Sequence, residues 1–225
     1  MGQYYKPIFL KDDKRTPLAH AYSHDFKEEH KCHDGTTYTS GTGLKLMEHS
    51  WMKNKFVGFI EEMLTPGKAF YKSPLVWAGD YADCEFFETL PKETVLALIK
   101  DGDSLEGLQA RGANLDSIAD VSSPKILPTV DTIEYKILPA AQTRYIVNHD
   151  KKEFVDKNKC KADSDGWKIH PLPLLTCEGN GRGGGDFRGD ERGLVGRWAR
   201  NVISVERSKR LIPKDYTEIV FDLVE

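Results

Sequence analysis

The chain has 225 residues, of which 39% are hydrophobic and 30% charged, and its formal net charge is −3. This composition is typical of one folded domain and excludes a long disordered chain. The near-neutral charge argues against binding of bulk nucleic acid or of an anionic membrane, and no run approaches the roughly 18 apolar residues that a membrane span needs.

The N-terminal residues and the cysteines indicate the compartment. The opening sequence, MGQYYKPIFLKDDKR, lacks the apolar stretch of a secretory signal. The four cysteines, Cys32, Cys84, Cys160 and Cys177, are widely spaced and form no C-x-x-C pair. A disulfide framework would be denser, so we expect a cytoplasmic protein with reduced thiols.

The first part of the chain predicts a hairpin, a helix and a buried strand. Apolar spacing predicts the helix over about 53–64, where Pro66-Gly67 stops it. A polar loop rich in glycine and threonine is expected at 23–43. Strands are expected at 4–10, 18–22, 44–47 and 74–83, the first two forming the hairpin.

The second part predicts one more helix and further strands. Pro91 suits the first turn of a helix over 91–101, and Gly102 suits the position just past its end. Residues 103–142 are expected to be irregular, with one short helix near 113–119. Strands are expected at 143–148, 153–157, 170–177, 194–206 and 216–224, the first two forming a second hairpin.

These elements predict an α+β fold, mainly an antiparallel β-sheet with a few helices, in a single domain covering 1–225. Two related β-rich halves, 1–90 and 143–225, joined by an irregular helical connection at 91–142, are a further hypothesis. It rests on three weak matches in the same order, against which stands the general likeness of β-rich segments. The matched pairs are 8–12 with 146–150, 44–47 with 172–175, and 77–80 with 198–201.

Several longer motifs carry a resemblance to a known family. They are MGQYYK, YSHD, GLKLMEHSW, WAGDYAD, YIVNHDKKEFVD, GNGRGGGD and VGRWARNVISVE. Through them the chain resembles an uncharacterised family found in bacteria and their phages. The resemblance covers most of the chain but implies no activity, and the segments 26–42 and 103–142 are less typical of it.

The strongest local signal is a glycine-rich segment with five glycines in the seven positions 179–185. Glycine is entropically costly to order, so such a run suggests that backbone approaches a ligand closely, and consecutive N–H groups form anion-binding nests. The letters fit G-x-G-x-x-G, but the following DFRGDERG is a poor helix start, which argues against a Rossmann site. A structural hairpin loop is the alternative. The expected ligand-binding residues are Gly181, Arg182, Gly183, Gly184, Asp186, Arg188 and Arg200.

Three further residues are candidates for catalysis: Glu48, Asp80 and His24. If the strands at 44–47 and 74–83 are neighbours, Glu48 and Asp80 project from strand ends toward the glycine-rich segment, near Glu178. Such carboxylates suit acid–base work or a divalent metal, although strand-end acids are also common turn formers. A zinc site in the cluster His20, His24, His30, Cys32 and His33 is disfavoured by its spacing, and His149-Asp150 is interpreted as a turn.

The tryptophans divide into two groups. Trp77 and Trp198 lie in apolar runs and are expected in the core, whereas Trp51 and Trp167 are candidates for stacking on a base. We therefore expect binding or hydrolysis of a small phosphorylated ligand, such as a nucleotide or a nucleotide-derived signal. The alternative is a protein-interaction module without catalytic activity, using 26–42 or 103–142 as its contact surface.

Overall fold

A computed structural model describes residues 5–15, 17–21, 27–31, 37–41, 50–52, 54–79, 119–120, 143–162, 166–178 and 193–222. Its helices are α1 (Lys55–Met63) and α2 (Pro171–Thr176), with 3-10 turns at Lys157–Lys159 and Lys209–Leu211. Its strands are β1 (Tyr5–Leu10), β2 (Pro17–His20), β3 (Lys27–Lys31), β4 (Thr37–Gly41), β5 (Ser73–Gly79), β6 (Ala119–Asp120), β7 (Tyr145–Asn148), β8 (Glu153–Asp156), β9 (Cys177–Glu178), β10 (Asn201–Glu206) and β11 (Thr217–Glu218).

One mixed sheet contains nine of these strands, in the order β11-β8-β7-β10-β5-β1-β2-β6, with β9 also paired to β5. The pairings among β1, β2, β5, β7, β8 and β10 are antiparallel, whereas β6, β9 and β11 each add a short parallel pairing. The predicted α+β class with a mainly antiparallel sheet is confirmed.

Both predicted hairpins are confirmed. β1 pairs with β2 in the register Ile8 opposite His20, with an irregularity between Phe9 and Leu10. β7 pairs with β8 from Tyr145 opposite Asp156 to Asn148 opposite Glu153. The apolar residues of the second hairpin, Tyr145, Ile146, Val147, Phe154 and Val155, are all β-branched or aromatic, and such residues pack well on a pleated surface.

The predicted helix near 53–64 is also confirmed. The side chain of Asn54 caps α1 by accepting a hydrogen bond of 3.2 Å from Val57 N. Phe56, Val57 and Ile60 recur at helical spacing and are fully buried against the sheet.

The core lies on both sides of the sheet. On one face, Phe9, Leu75, Trp77, Ile203 and Val205 pack with residues from α1 and α2. On the other face, a smaller cluster under the C-terminal segment contains Tyr145, Val147, Phe154 and Ile212. Strand residues alternate between the two faces, as the pleat requires. Trp77 and Trp198 are fully buried, as expected.

The strand expected at 170–177 is wrong, because residues 171–176 form α2 and only Cys177–Glu178 is a strand. His170 is the N-cap, and its Nδ1 accepts a hydrogen bond of 3.1 Å from Leu172 N. Pro171 and Pro173 are tolerated because the N–H groups of a first helical turn have no partner within the helix.

Three other expectations need correction. Within 194–206 only Asn201–Glu206 is a strand, since 195–200 form turns in which Gly196 has a φ of 69°. Within the described part of 216–224, only Thr217–Glu218 is a strand. The polar loop expected at 23–43 contains the antiparallel hairpin of β3 and β4, which forms its own two-stranded sheet.

Some expectations fall outside the described residues. They are the strand at 44–47, the end of the strand at 74–83, the helix at 91–101 and most of 103–142, where β6 is the described element. The pseudo-repeat stays a hypothesis. Of its matched pairs, 172–175 lies in α2, and Trp77 is in a strand whereas Trp198 is in a turn.

Candidate functional site

The last described residues before the glycine-rich segment lie at the end of two adjacent parallel strands. β9 pairs in parallel with β5, with Cys177 opposite Trp77 and Glu178 opposite Ala78. The chain therefore enters residues 179–192 at the same sheet edge where β5 ends at Gly79. In open sheets, the carboxyl ends of parallel strands are the common place for ligand-binding loops. We call this region the β5–β9 end.

The residues that follow the glycine-rich segment are hydrogen-bonded to the helix that precedes it. Gly196 N donates to Leu174 O at 2.8 Å and Trp198 N donates to Leu175 O at 2.6 Å. Both acceptors lie in α2, which leads directly into β9. The residues on either side of 179–192 are thus held by one short stretch of the fold.

An ion pair lies at the β5–β9 end. Arg200 Nε donates to Glu178 Oε2 at 2.9 Å and to Oε1 at 3.2 Å, and both side chains are mostly buried. Burial raises the pKa of the Glu178 carboxyl, and the charge of Arg200 offsets this only in part. A buried carboxylate with a raised pKa beside an arginine is a recurrent feature of functional sites.

The backbone of Arg200 is strained. Its φ is 63°, in the left-handed region that non-glycine residues seldom adopt. Arg200 N donates to Leu75 O at 2.8 Å, so the conformation is fixed by the neighbouring strand β5. Strain of this kind costs about 1–3 kcal/mol and persists where the surroundings enforce it. The result is an arginine side chain directed to Glu178.

Arg200 is the one predicted site residue that the structure describes. Its guanidinium contacts Glu178, the last described residue before the glycine-rich segment, and its role in ligand binding stays a prediction. The other predicted ligand-binding and catalytic residues lie outside the described part of the chain. They are Gly181, Arg182, Gly183, Gly184, Asp186, Arg188, Glu48, Asp80 and His24.

The His149-Asp150 pair lies in the β7–β8 turn, as expected, and the side chain that caps the turn is that of Asn148. Asn148 Oδ1 accepts from the backbone N of Asp150 at 3.0 Å and of Lys151 at 2.9 Å. Asp150 Oδ2 instead accepts from Val202 N at 2.8 Å and from Lys14 Nζ at 2.7 Å. Asp150 therefore connects the β7–β8 turn to β10 and to the turn between β1 and β2.

A buried polar cluster formed by Glu61, Lys157, Thr143 and His170 was missed from the sequence. Lys157 Nζ lies 2.5 and 2.7 Å from the two carboxylate oxygens of Glu61, and Thr143 Oγ1 donates to Glu61 at 2.9 Å. His170 Nε2 lies 3.4 Å from Glu61 Oε1. Burial favours the neutral acid, but a hydrogen bond from the neutral His170, together with the charge and hydrogen bonds of Lys157, outweighs it and holds the pKa of Glu61 below its ordinary value. One signal was present, because Glu61 follows Val57 by four residues on the apolar face of α1.

A second polar chain runs across the opposite face of the sheet. His149 Nε2 contacts Ser204 Oγ at 2.9 Å, and Ser204 Oγ donates to Glu206 Oε1 at 2.9 Å. Since the serine proton is directed to Glu206, His149 Nε2 donates to Ser204. Tyr216 OH then donates to Nδ1 of His149 across 3.1 Å. This orientation leaves His149 neutral and does not activate Ser204 as a nucleophile.

Trp51 and Trp167, the two tryptophans considered for stacking, lie side by side. Their ring centroids are 5.5 Å apart with the planes tilted by 47°. Their exposed fractions are 36% and 54%.

Among the described residues, no group of three His, Cys, Asp or Glu side chains is arranged to hold a metal ion. In the same part of the chain, no helix has the length and apolar character needed to cross a membrane. Comparison with protein-family models, with curated proteins and with solved structures finds no match to this chain.

Proposed function

We propose that this protein binds a small phosphorylated ligand, a nucleotide or a nucleotide-derived signal, in the cytoplasm. The binding region is the β5–β9 end together with the glycine-rich segment that leaves it. The observation that supports this most is the Glu178–Arg200 pair, a mostly buried arginine and acid at the start of that segment.

The chemistry of this pair suits phosphate. A guanidinium is a planar, permanently charged donor that matches phosphate oxygens in a forked geometry. A phosphate that reaches Arg200 competes with Glu178 for it. The raised pKa of Glu178 then lets this carboxyl take up a proton instead of remaining as a buried, uncompensated charge.

The glycine-rich segment contains the other groups that would donate hydrogen bonds to the phosphate. Gly181, Gly183 and Gly184 provide backbone N–H groups without side-chain obstruction, and Arg182 and Arg188 provide positive charge. Asp186 follows this run and is the acid that orients those arginines or a bound cation.

A thermal-shift experiment with nucleotides and inorganic tripolyphosphate, each with and without Mg²⁺, tests binding. At about 100 times the dissociation constant, a ligand adds roughly 2.7 kcal/mol to the free energy of unfolding, which raises the melting temperature by several degrees. We expect Arg182→Ala and Arg200→Ala to lose this shift.

Arg197→Ala is the matched control, because Arg197 is also ion-paired, to Glu153, only three residues from Arg200. It should keep the full shift. Absence of a shift with every phosphate compound, or a shift that Arg182→Ala and Arg200→Ala both retain, contradicts the proposal.

Hydrolysis is the second part of the proposal, with Glu48, Asp80 or His24 as the base or as ligands of a divalent metal. Asp80 directly follows Gly79, the last residue of β5. If the protein is a hydrolase, Asp80→Asn or Glu48→Gln abolishes phosphate release while ligand binding remains. Phosphate release by neither wild type nor variants, with binding intact, identifies a binding protein without turnover.

The β3–β4 hairpin supports the alternative function, a protein-interaction module. β3 and β4 form a separate two-stranded hairpin within the segment 26–42. Such a hairpin has outer strand edges that can pair with a strand of another protein. Retention of a partner protein by wild type, and its loss when residues 27–41 are deleted, would favour this function if no phosphate compound binds.

A further inference from the structure

The Trp51–Trp167 pair is unusual in its exposure. Trp77 and Trp198, the other tryptophans, are fully buried, whereas the indoles of Trp51 and Trp167 are 36% and 54% exposed. Tryptophan is usually largely buried, because its large apolar surface is costly to leave in water. Two exposed indoles in mutual contact therefore call for a binding role.

The backbone beneath the two indoles is firmly held. Trp51 and Ile169 form an antiparallel bridge, flanked by hydrogen bonds from Met52 N to Lys168 O at 2.9 Å and from His170 N to Ser50 O at 2.7 Å. Met52 and Ile169 pack against the main core. The indoles are therefore mounted on a preorganised support, which lowers the entropic cost of binding.

His170 connects this support to the interior. It caps α2 through Nδ1, and its Nε2 lies 3.4 Å from Glu61 in the buried polar cluster. Burial lowers the pKa of His170, which keeps the imidazole in the neutral form needed for the cap. The indole pair thus lies at the beginning of α2, while Glu178 follows the end of the same helix.

The aromatic faces of the pair favour one class of ligand. Lysines and acids both stand near the two tryptophans in the sequence, namely Lys55, Lys168, Glu48, Asp163 and Asp165, so charge does not select the ligand. Exposed indole faces match the planar ring of a nucleobase, which stacks on aromatic side chains.

We propose that Trp51 and Trp167 form the stacking surface for the base of the ligand, whose phosphates bind at the β5–β9 end. This inference rests on the proposed function and narrows its ligand to a nucleotide with a phosphate chain. Along the chain, α2 connects the support of the indoles to Glu178. A nucleoside with several phosphates offers a base to the indoles and phosphates to Arg200, whereas a free base or inorganic phosphate offers only one of these groups.

The test compares the binding of four nucleoside triphosphates, adenosine and inorganic tripolyphosphate to wild type and to the double variant W51A/W167A. Calorimetry gives the dissociation constants. Quenching of tryptophan fluorescence gives a second readout, in which the buried Trp77 and Trp198 supply a constant background. Loss of stacking should weaken triphosphate binding by at least about tenfold and leave tripolyphosphate binding unchanged.

The matched control is Leu211→Ala, which removes another exposed apolar side chain, 59% accessible and outside the support. It should not change any affinity. Equal binding of nucleoside triphosphates by wild type and W51A/W167A overturns the stacking surface, even if tripolyphosphate binds and the proposed function holds.

The two proposals can also fail in the opposite order. If adenosine binds and W51A/W167A loses it, while tripolyphosphate does not bind, the phosphate site is wrong and the stacking surface stands. If none of the compounds binds to wild type, both proposals are overturned.

Discussion

Lys157 and Glu61 are two opposite charges inside the protein, exposed by only 5% and 1%. Each is costly to bury alone, and the pair is sustained by their short contacts and by Thr143. We expect Lys157→Met to lower the free energy of unfolding by about 3–5 kcal/mol, because it leaves the Glu61 carboxylate buried without a cation. Urea unfolding measures this loss.

Lys152→Met is the control for this prediction. Lys152 pairs with Asp215 at 2.8 Å, and the two side chains are 61% and 59% exposed. Exposed pairs contribute about 0–1 kcal/mol, so the control should be nearly neutral. Equal losses for Lys157→Met and Lys152→Met would mean that the buried cluster is not a stabilising centre.

At the level of single residues, helix ends and buried side chains could be predicted from local sequence, whereas the contact partners of a side chain could not. Asn54 and Pro66 mark the limits of α1 through local chemistry, and Trp77 and Trp198 reveal their burial through their apolar neighbours. Arg200 was expected beside the glycine-rich segment because of its charge. Its pairing with Glu178, 22 residues away, depends on the joining of β9 to β5, which no local pattern indicates.

The β7–β8 turn and the C-terminal segment form a unit that responds to pH. Burial of His149 and the charge of Lys72 lower the pKa of the imidazole to about 4, against an opposing effect of Asp150. An unfolded chain has a histidine pKa near 6.5. Between about pH 6.5 and 4, the unfolded state therefore binds a proton that the folded state does not.

The sign follows from this difference in bound protons. The contribution of neutral His149 to stability is complete above about pH 6.5 and is lost as the pH falls toward 4. We expect the free energy of unfolding to fall by on the order of 2 kcal/mol more in wild type than in His149→Gln over this range. Urea unfolding at pH 7 and pH 4.5 measures it. Parallel pH curves for the two proteins, or an imidazole NMR titration centred near 6.5, would contradict this account.

At the level of elements, the two hairpins and α1 were predictable because their apolar residues repeat at two or at 3.6 positions. α2 was not, since HPLPLLT is one continuous apolar run that fits a buried strand or a buried helix equally well. The helix follows from Pro171 at its first position and from the capping side chain of His170. The strand predicted over 194–206 was too long at its start, because Gly193 and Gly196, with φ of 63° and 69°, allow turns before β10 begins.

The whole sheet depends on a strand from near the C-terminus. β10 pairs with β5 on one side and with β7 on the other. These partners belong to the halves 1–90 and 143–225 of the hypothetical repeat, so β10 joins the strands of the two halves into one sheet, and β9 adds a second pairing with β5. Strand order of this kind was not predictable, because sequence patterns give strands but not their non-local partners.

We therefore expect that neither half folds by itself. A fragment of residues 1–90 and a fragment of residues 143–225 should each lack a cooperative urea transition, whereas the full chain has one. Circular dichroism during unfolding measures this. A cooperative transition in either fragment would show two independent domains and contradict the single-domain interpretation.

Neither Cys160 nor Cys177 forms a disulfide and both are buried, and burial raises the pKa of the Cys160 thiol to about 12. Only a thiolate reacts rapidly with alkylating reagents, so Cys160 is protected by burial and by protonation, and Cys177 is protected by burial. Their modification requires the surrounding core to open. The rate at which the two thiols are alkylated, followed by mass spectrometry, would therefore measure how often the core around them opens to solvent.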